Sequence, residues 1–204
     1  MPRGHGSAAL TLADWRALPE ASRALAIRGR VDEQMVAIEQ QHERIVNFVQ
    51  TVHEKGLLTL DSPADLVRGN SDVDFFLTAL RRMTRVCALV RRSAFTETGT
   101  VREPLRLFEV RVQDAVPVRN FLEHFDEGMI NGLGGIGYGI GPGMITISYA
   151  GKTVHTHQLL AAAREVHRAV RGVVDPLAAT DVHFRPACIP AGGWITASGP
   201  AATA

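Results

Sequence analysis

The chain reads as a mainly α protein: a bundle of about four longer helices, preceded by short N-terminal helices and carrying a small β-hairpin before the last helix. Three observations predict this. Apolar residues recur at alternating steps of three and four over several long stretches, as a helix with one buried stripe requires. Helix-opening residue pairs and prolines punctuate those stretches. The run from Met144 to His155, by contrast, is β-branched and alternating, as short paired strands are.

Thr11-x-x-Asp14 has the form of a capping box and opens a short helix that Pro19 interrupts. A second short helix is expected from Glu20 to Arg28, ending at Gly29. From Asp32 to about Glu54, Met35, Ile38, His42, Ile45, Val49 and Val52 define one helix with one buried stripe, closed by Gly56. Asp61-Ser62-Pro63 then makes a turn, and Ser71-Asp72-Val73-Asp74 carries an N-terminal capping signature. The helix that follows, to about Arg92, turns Val73, Phe76, Leu77, Leu80, Cys87 and Val90 inward and Arg81, Arg82, Arg85, Arg91 and Arg92 outward.

Thr100-x-x-Glu103 followed by Pro104 opens a further long helix, because a proline in the first turn lacks only an N–H that would have no partner there. Pro117 interrupts that pattern. Leu105, Phe108, Val112 and Ala115 form one stripe before it, and Val118, Leu122 and Phe125 form another after it. The second is displaced by roughly a quarter turn at 100° per residue, so a kink or break is expected. Residues 128–143 are too glycine-rich for regular structure. Met144 to Tyr149 and Lys152 to His155 form a hairpin about Ala150-Gly151, and Thr156 caps a last helix to about Val173. Leu159, Leu160, Ala163, Val166 and Val170 face inward on it, and Asp175-Pro176 stops it.

Of the 204 residues, 46% are hydrophobic and 21% charged, which fits one globular domain with a real core. Residues 11–175 are expected to form it, with 1–10 a flexible N-terminus and 176–204 a poorly ordered tail. The formal charge of +1 argues against nucleic-acid binding by bulk charge and leaves a local basic face as the alternative. Cys87 and Cys188 lie far apart, with no metal-ligand or redox spacing, so free thiols in a reducing compartment are expected. No window approaches the ~18 uninterrupted apolar residues of a membrane span. The expectation is a cytoplasmic protein that does not associate with membranes.

The residue types of a phosphodiester-cleaving site sit together on one predicted helix, in Val118-Arg119-Asn120-Phe121-Leu122-Glu123-His124-Phe125. A histidine with a pKa near 6.5 can take the proton from a 2′-hydroxyl or give one to the leaving oxygen. A guanidinium can hold the charge that builds on the phosphate, and no metal is needed. At 100° per residue Arg119 and His124 lie roughly 140° apart, at the two edges of a polar arc that also holds Asn120, Glu123 and Glu127. They act together most readily across a two-fold axis. The alternative is an Arg119–Glu123 pair at i,i+4 with His124 on a charged surface.

Arg119-Asn120 with His124 after a short spacer, on a late helix of a helical bundle, resembles the HEPN superfamily. The outline of the resemblance covers about Asp32 to Asp175. It implies a homodimer with a composite RNA-cleaving site in which Arg119 contacts the phosphate, His124 is general acid or base, and Asn120 supports them. Many members are toxins or defence nucleases paired with an antitoxin, so an antitoxin or other protein partner is a further implication. On this reading Arg81, Arg85 and Arg92, closest to one face of their helix, carry the RNA backbone. The competing reading is a non-catalytic helical module that binds a protein partner.

Three other patterns carry less chemistry. Gly132-Leu133-Gly134-Gly135-Ile136-Gly137 matches G-x-G-x-x-G but follows a helix and leads to a strand, the reverse of a dinucleotide fold, and reads as a loop or lid. His155-x-His157 with His167 has the residue types of a zinc site without supporting spacing, so neither metal nor cofactor is expected. His42, inside an apolar stripe, reads as a core histidine.

Overall fold

A computed structural model describes residues 11–55, 63–95, 99–123, 137–141, 144–149 and 151–179. In chain order the elements are α1 (Leu12–Ala17), α2 (Glu20–Lys55), α3 (Pro63–Arg92), α4 (Arg102–Gln113), α5 (Val116–Glu123), β1 (Gly137–Gly141), β2 (Met144–Tyr149), β3 (Lys152–His155) and α6 (Thr156–Ala178). This is a mainly α bundle with a small antiparallel sheet of order β1-β2-β3 beside the last helix. Among the described residues, no helix is long and apolar enough to cross a membrane.

The predicted stripes form the core. α2 packs against α3 and α6, and α4 packs against α6 and α3. Between them lie Ile27, Ile38 and Ile45 of α2, Phe76, Leu80 and Met83 of α3, Leu105 and Phe108 of α4, and Val166 and Val170 of α6, all fully buried. Each large side chain contributes roughly 1.5–3 kcal/mol through removal of apolar surface from water.

The expected break at Gly29 is absent, and α2 runs unbroken for 36 residues, about 54 Å at 1.5 Å per residue. Gly29 is exposed, while Ala24, Ile27, Val31 and Met35 carry one buried stripe straight past it. That burial outweighs the roughly 1 kcal/mol that a helical glycine costs. Thr11 and Asp14 form the expected capping box at the start of α1, and the real corner is at Pro19, after its end. Arg23 Nη1 donates to the carbonyls of Arg16 and Leu18, both at 2.8 Å, and holds the turn.

α3 begins at Pro63 rather than at the Ser71 signature. Ser71 is interior, and its hydroxyl donates to the Val67 carbonyl at 2.9 Å, the alternative use of a helical serine. α4 starts after Val101, which makes no side-chain cap, and Glu103 takes Arg106 at 2.6 Å. The break near Pro117 is present: α4 ends at Gln113, Asp114 and Ala115 turn, and the Arg119 N–H returns to the Ala115 carbonyl at 3.1 Å.

The glycine run is not irregular throughout, since Gly137–Gly141 is strand β1, paired with β2 from Gly137↔Ser148 to Gly141↔Met144. A Cβ at Gly139 would lie 2.6 Å from Thr146 Oγ1, so glycine permits the close pairing there. Tyr138 stands edge-on to Phe48 at 5.3 Å, and its hydroxyl donates to Asn70 Oδ1, docking the strand on α2 and α3. The predicted hairpin β2–β3 turns through Gly151 at φ 75°.

Two further expectations are corrected at α6. The cap residue is His155, while the Thr156 hydroxyl, fully buried, donates to the Ile145 carbonyl at 3.2 Å. The helix also continues past Asp175-Pro176 to Ala178. Burial of Val173, Val174 and Ala178, and the Arg171–Asp175 bridge at 2.8 Å, offset the one backbone bond that the proline forgoes.

Candidate functional site

Arg81 and Arg85 are one turn apart on α3 and both exposed, on the face that also carries Leu77, Thr84 and Ala88. α5 leaves the Asp114-Ala115 turn at a new angle and packs against α3. This brings Arg119, half-buried, and Asn120, exposed, to the same place. Between α3, α4 and α5 lies an open groove of about 600 Å³ lined by Arg81, Arg85, Arg119 and Asn120. Its apolar part comes from Leu77, Ala88, Val112, Ala115 and Val116, and its remaining polar groups are Thr84, Glu109 and Gln113.

The groove is cationic. Burial, and then the nearby positive charge of Arg81, hold the Arg119 guanidinium below its ordinary pKa; Asp74 opposes the shift and Arg85 adds to it. Arginine stays charged at neutral pH all the same. Glu109 is the acidic group in the lining, and Arg91 takes both of its oxygens, at 2.6 and 2.8 Å. That bidentate pair leaves Glu109 compensated and Arg81 and Arg85 without a carboxylate partner among the described residues. Three guanidiniums within interaction range repel one another, and an anion in the groove relieves the repulsion.

Of the residues singled out from sequence, Arg119, Asn120, Arg81 and Arg85 therefore share one groove. Arg92 does not line it; it lies on nearly the same face of α3, roughly 16 Å beyond Arg81 and about 10 Å beyond Arg85 at 1.5 Å per residue. His124 follows the last residue of α5 and lies outside the described residues, as do Phe125 and 128–136 of the glycine run. The alternative Arg119–Glu123 pair rests on the Glu123 side chain, which is also outside them. Glu109, Gln113 and Val116 were not singled out from sequence. Pro117 was their one signal, since a broken helix can wrap two faces around a third.

The histidines group differently from the zinc pattern. β3 ends at His155, so His157 is already on α6. The His157 ring meets His42 edge-on at 4.6 Å, and its Nδ1 accepts from the Ile145 N–H at 3.4 Å. His167 instead binds Asp32 at 2.8 Å, beside the Arg171 fork on the same carboxylate at 2.8 Å. Among the described residues, no group of three or more metal-ligating side chains comes together. His42 is the buried core histidine expected, 7% exposed, with Nε2 3.4 Å from Thr156 Oγ1. Cys87 is fully buried and pushed up to about 12, first by burial and then by Glu109, so it is an inert thiol. No protein-family model, curated protein or solved structure matches this chain.

Proposed function

We propose that this protein binds RNA in the groove between α3, α4 and α5 and cleaves it as a metal-independent endoribonuclease of HEPN type, acting as a homodimer. The observation that supports the reading is the convergence of Arg119 and Asn120 with Arg81 and Arg85 around one groove. A cationic groove supplies the phosphate contacts that dominate RNA affinity.

In this reading Arg119 holds a non-bridging oxygen of the scissile phosphate and Asn120 orients it. His124 takes the 2′-hydroxyl proton as that oxygen attacks phosphorus. The bond from phosphorus to the 5′-oxygen breaks, a 2′,3′-cyclic phosphate forms, and an acid protonates the departing 5′-oxygen. A toxin or defence role held in check by an antitoxin fits such an activity.

The test is cleavage of end-labelled RNA in excess chelator, resolved by gel. His124→Ala and Arg119→Ala each reduce the rate by roughly a hundredfold or more, the usual worth of an acid–base group or a charge-stabilising contact, with unchanged thermal unfolding. Cleavage that survives in both variants overturns the assignment.

A second reading, a non-catalytic module that docks a protein, is favoured by Leu107 and Val110, exposed three residues apart on α4, and by exposed Val116 on α5. It predicts that Leu107→Asp with Val110→Asp abolishes partner capture while His124→Ala leaves it intact.

A further inference from the structure

The small sheet has an edge whose hydrogen-bonding groups are left over. β1 is an outer strand, with β2 on one side and no further strand on the other among the described residues. Which of its peptide groups point outward follows from β2. The Ile145 N–H donates to His157 and the Ile145 carbonyl takes the Thr156 hydroxyl, both on the side of β2 away from β1. Ile140, directly across from Ile145, therefore turns its own N–H and C=O away from β2. Gly139 is the opposite case, since its carbonyl takes the hydroxyl of its partner Thr146 at 3.3 Å. With the period of two along a strand, Tyr138 points outward together with Ile140. Among the described residues, neither has a backbone partner on that side.

The two edges of the sheet differ in how they are guarded. β3 is four residues long, opens on Lys152 and runs directly into α6. β1 carries no charge and no proline, and leaves Ile140 43% exposed. Its sequence Gly137-Tyr138-Gly139-Ile140-Gly141 also has nearly the same pattern in both directions. Antiparallel pairing centred on Gly139 sets Tyr138 opposite Ile140 of a second copy, and Ile140 opposite its Tyr138. Each of these facing pairs exchanges two backbone bonds, so every outward N–H and C=O of both strands finds a partner. Gly139 meets the same glycine of the second copy as the close pair, with Cα atoms ~4.5 Å apart, where the missing side chains leave room. Tyr138 and Ile140 share one face of the strand, so the exposed Ile140 comes to lie beside the second copy's Tyr138 ring.

We infer that the free edge of β1 is a pairing site for the same strand of a second copy of this chain, joining two three-stranded sheets into one of six strands across a two-fold axis. The backbone bonds set the register, and Gly139 allows the close approach. One pair of five-residue strands covers less surface than the ~1,200–2,000 Å² of a stable interface. The association is therefore reversible and rises with concentration. It uses β1 and not α5, and it holds whether or not the chain binds or cleaves RNA.

The experiment is amide hydrogen exchange of the full chain, followed by NMR at low micromolar and at millimolar concentration. The Tyr138 and Ile140 amides are expected to exchange about tenfold more slowly at the higher concentration, while the Gly139 amide, which faces β2, is unaffected. Ile140→Pro removes one outward N–H and no bond to β2, a place where an edge strand tolerates proline. It is expected to abolish the protection of Tyr138 with unchanged thermal unfolding. A cross-link that does not depend on that variant reads the same contact. Gly139→Cys with Thr146→Ala and Cys188→Ser is expected to oxidise to a disulfide dimer, since the close pair lies within disulfide range. Thr153→Cys with Cys188→Ser, on β3, is expected to stay monomeric. Fast exchange of both outward amides at every concentration means a bare edge and overturns the inference. Protection in a chain that light scattering finds monomeric means that another segment of the same chain fills the edge, and also overturns it. So does a cross-link that fails at Gly139 or forms equally well at Thr153.

Discussion

Acidification sets a protonated His42 against a junction built for a neutral one. Its ring lies between α2, β2 and α6, against Phe76 at 6.0 Å and His157 at 4.6 Å. Thr156 gives its single proton to the Ile145 carbonyl, so we assign the Nε2–H of neutral His42 as the donor to Thr156 Oγ1. Burial, then the charge of His157 and of Arg164, lower its pKa to about 4. An unfolded histidine titrates near 6.5. Because the folded value is the lower one, this contribution to stability is complete above pH ~6.5 and is lost as the unfolded chain gains a proton that the fold resists. Linkage between those two values gives a loss of about 2 kcal/mol by pH 5 and about 3 kcal/mol by pH 4. Urea unfolding followed by circular dichroism at pH 8, 6.5, 5 and 4 measures it, with His42→Asn as the reference, since the amide can still donate to Thr156 and does not titrate. The wild type is expected to lose that much more than the variant across the range. Parallel losses at every pH refute the reasoning.

Two further substitutions test the backbone. Gly139→Ala places a methyl 2.6 Å from Thr146 Oγ1 and is expected to destabilise by roughly 1–3 kcal/mol, the usual result of overpacking. Adding Thr146→Ala removes the clash, and most of the loss should return in chemical denaturation; no recovery means that the strands do not approach as described. Ala94, two residues past the end of α3, has φ 49°, a left-handed conformation that an L residue adopts at a penalty of roughly 1–2 kcal/mol. After the greater chain entropy of unfolded glycine is subtracted, Ala94→Gly should stabilise by about 0.5–1 kcal/mol. A differential scanning measurement that shows a lower midpoint contradicts this.

What was legible in sequence was whatever one element could state alone. The α3 stripe from Val73 to Val90, the break near Pro117, the turn at Gly151 and the burial of His42 follow from periodicity or from a single backbone restriction. What was not legible depended on partners. β1 hides among glycines because a strand is ordinarily recognised by its side-chain alternation, and here pairing with β2 and the docking of Tyr138 take that place. α2 continues through Gly29 because α3 and α6 bury the stripe on both sides of it. The arginines of α3 and α5 could be named from sequence, but not their meeting, since that depends on how α5 departs from α4. Glu109, held by Arg91, gives no local sign that its charge is already matched.

The claim that Arg81, Arg85 and Arg119 converge on a nucleic-acid backbone is tested most directly by the salt dependence of binding. Affinity of the His124→Ala protein for single-stranded RNA is measured across a salt series, in that background and with Arg81→Ala, Arg85→Ala, Arg119→Ala or Arg168→Ala added, the last an exposed arginine on α6. Each groove variant is expected to weaken binding and to flatten the slope of log affinity against log salt by roughly 0.7, one phosphate contact on a single strand. Arg168→Ala should change neither. Slopes unaltered in all three groove variants, or altered equally by Arg168→Ala, contradict the account.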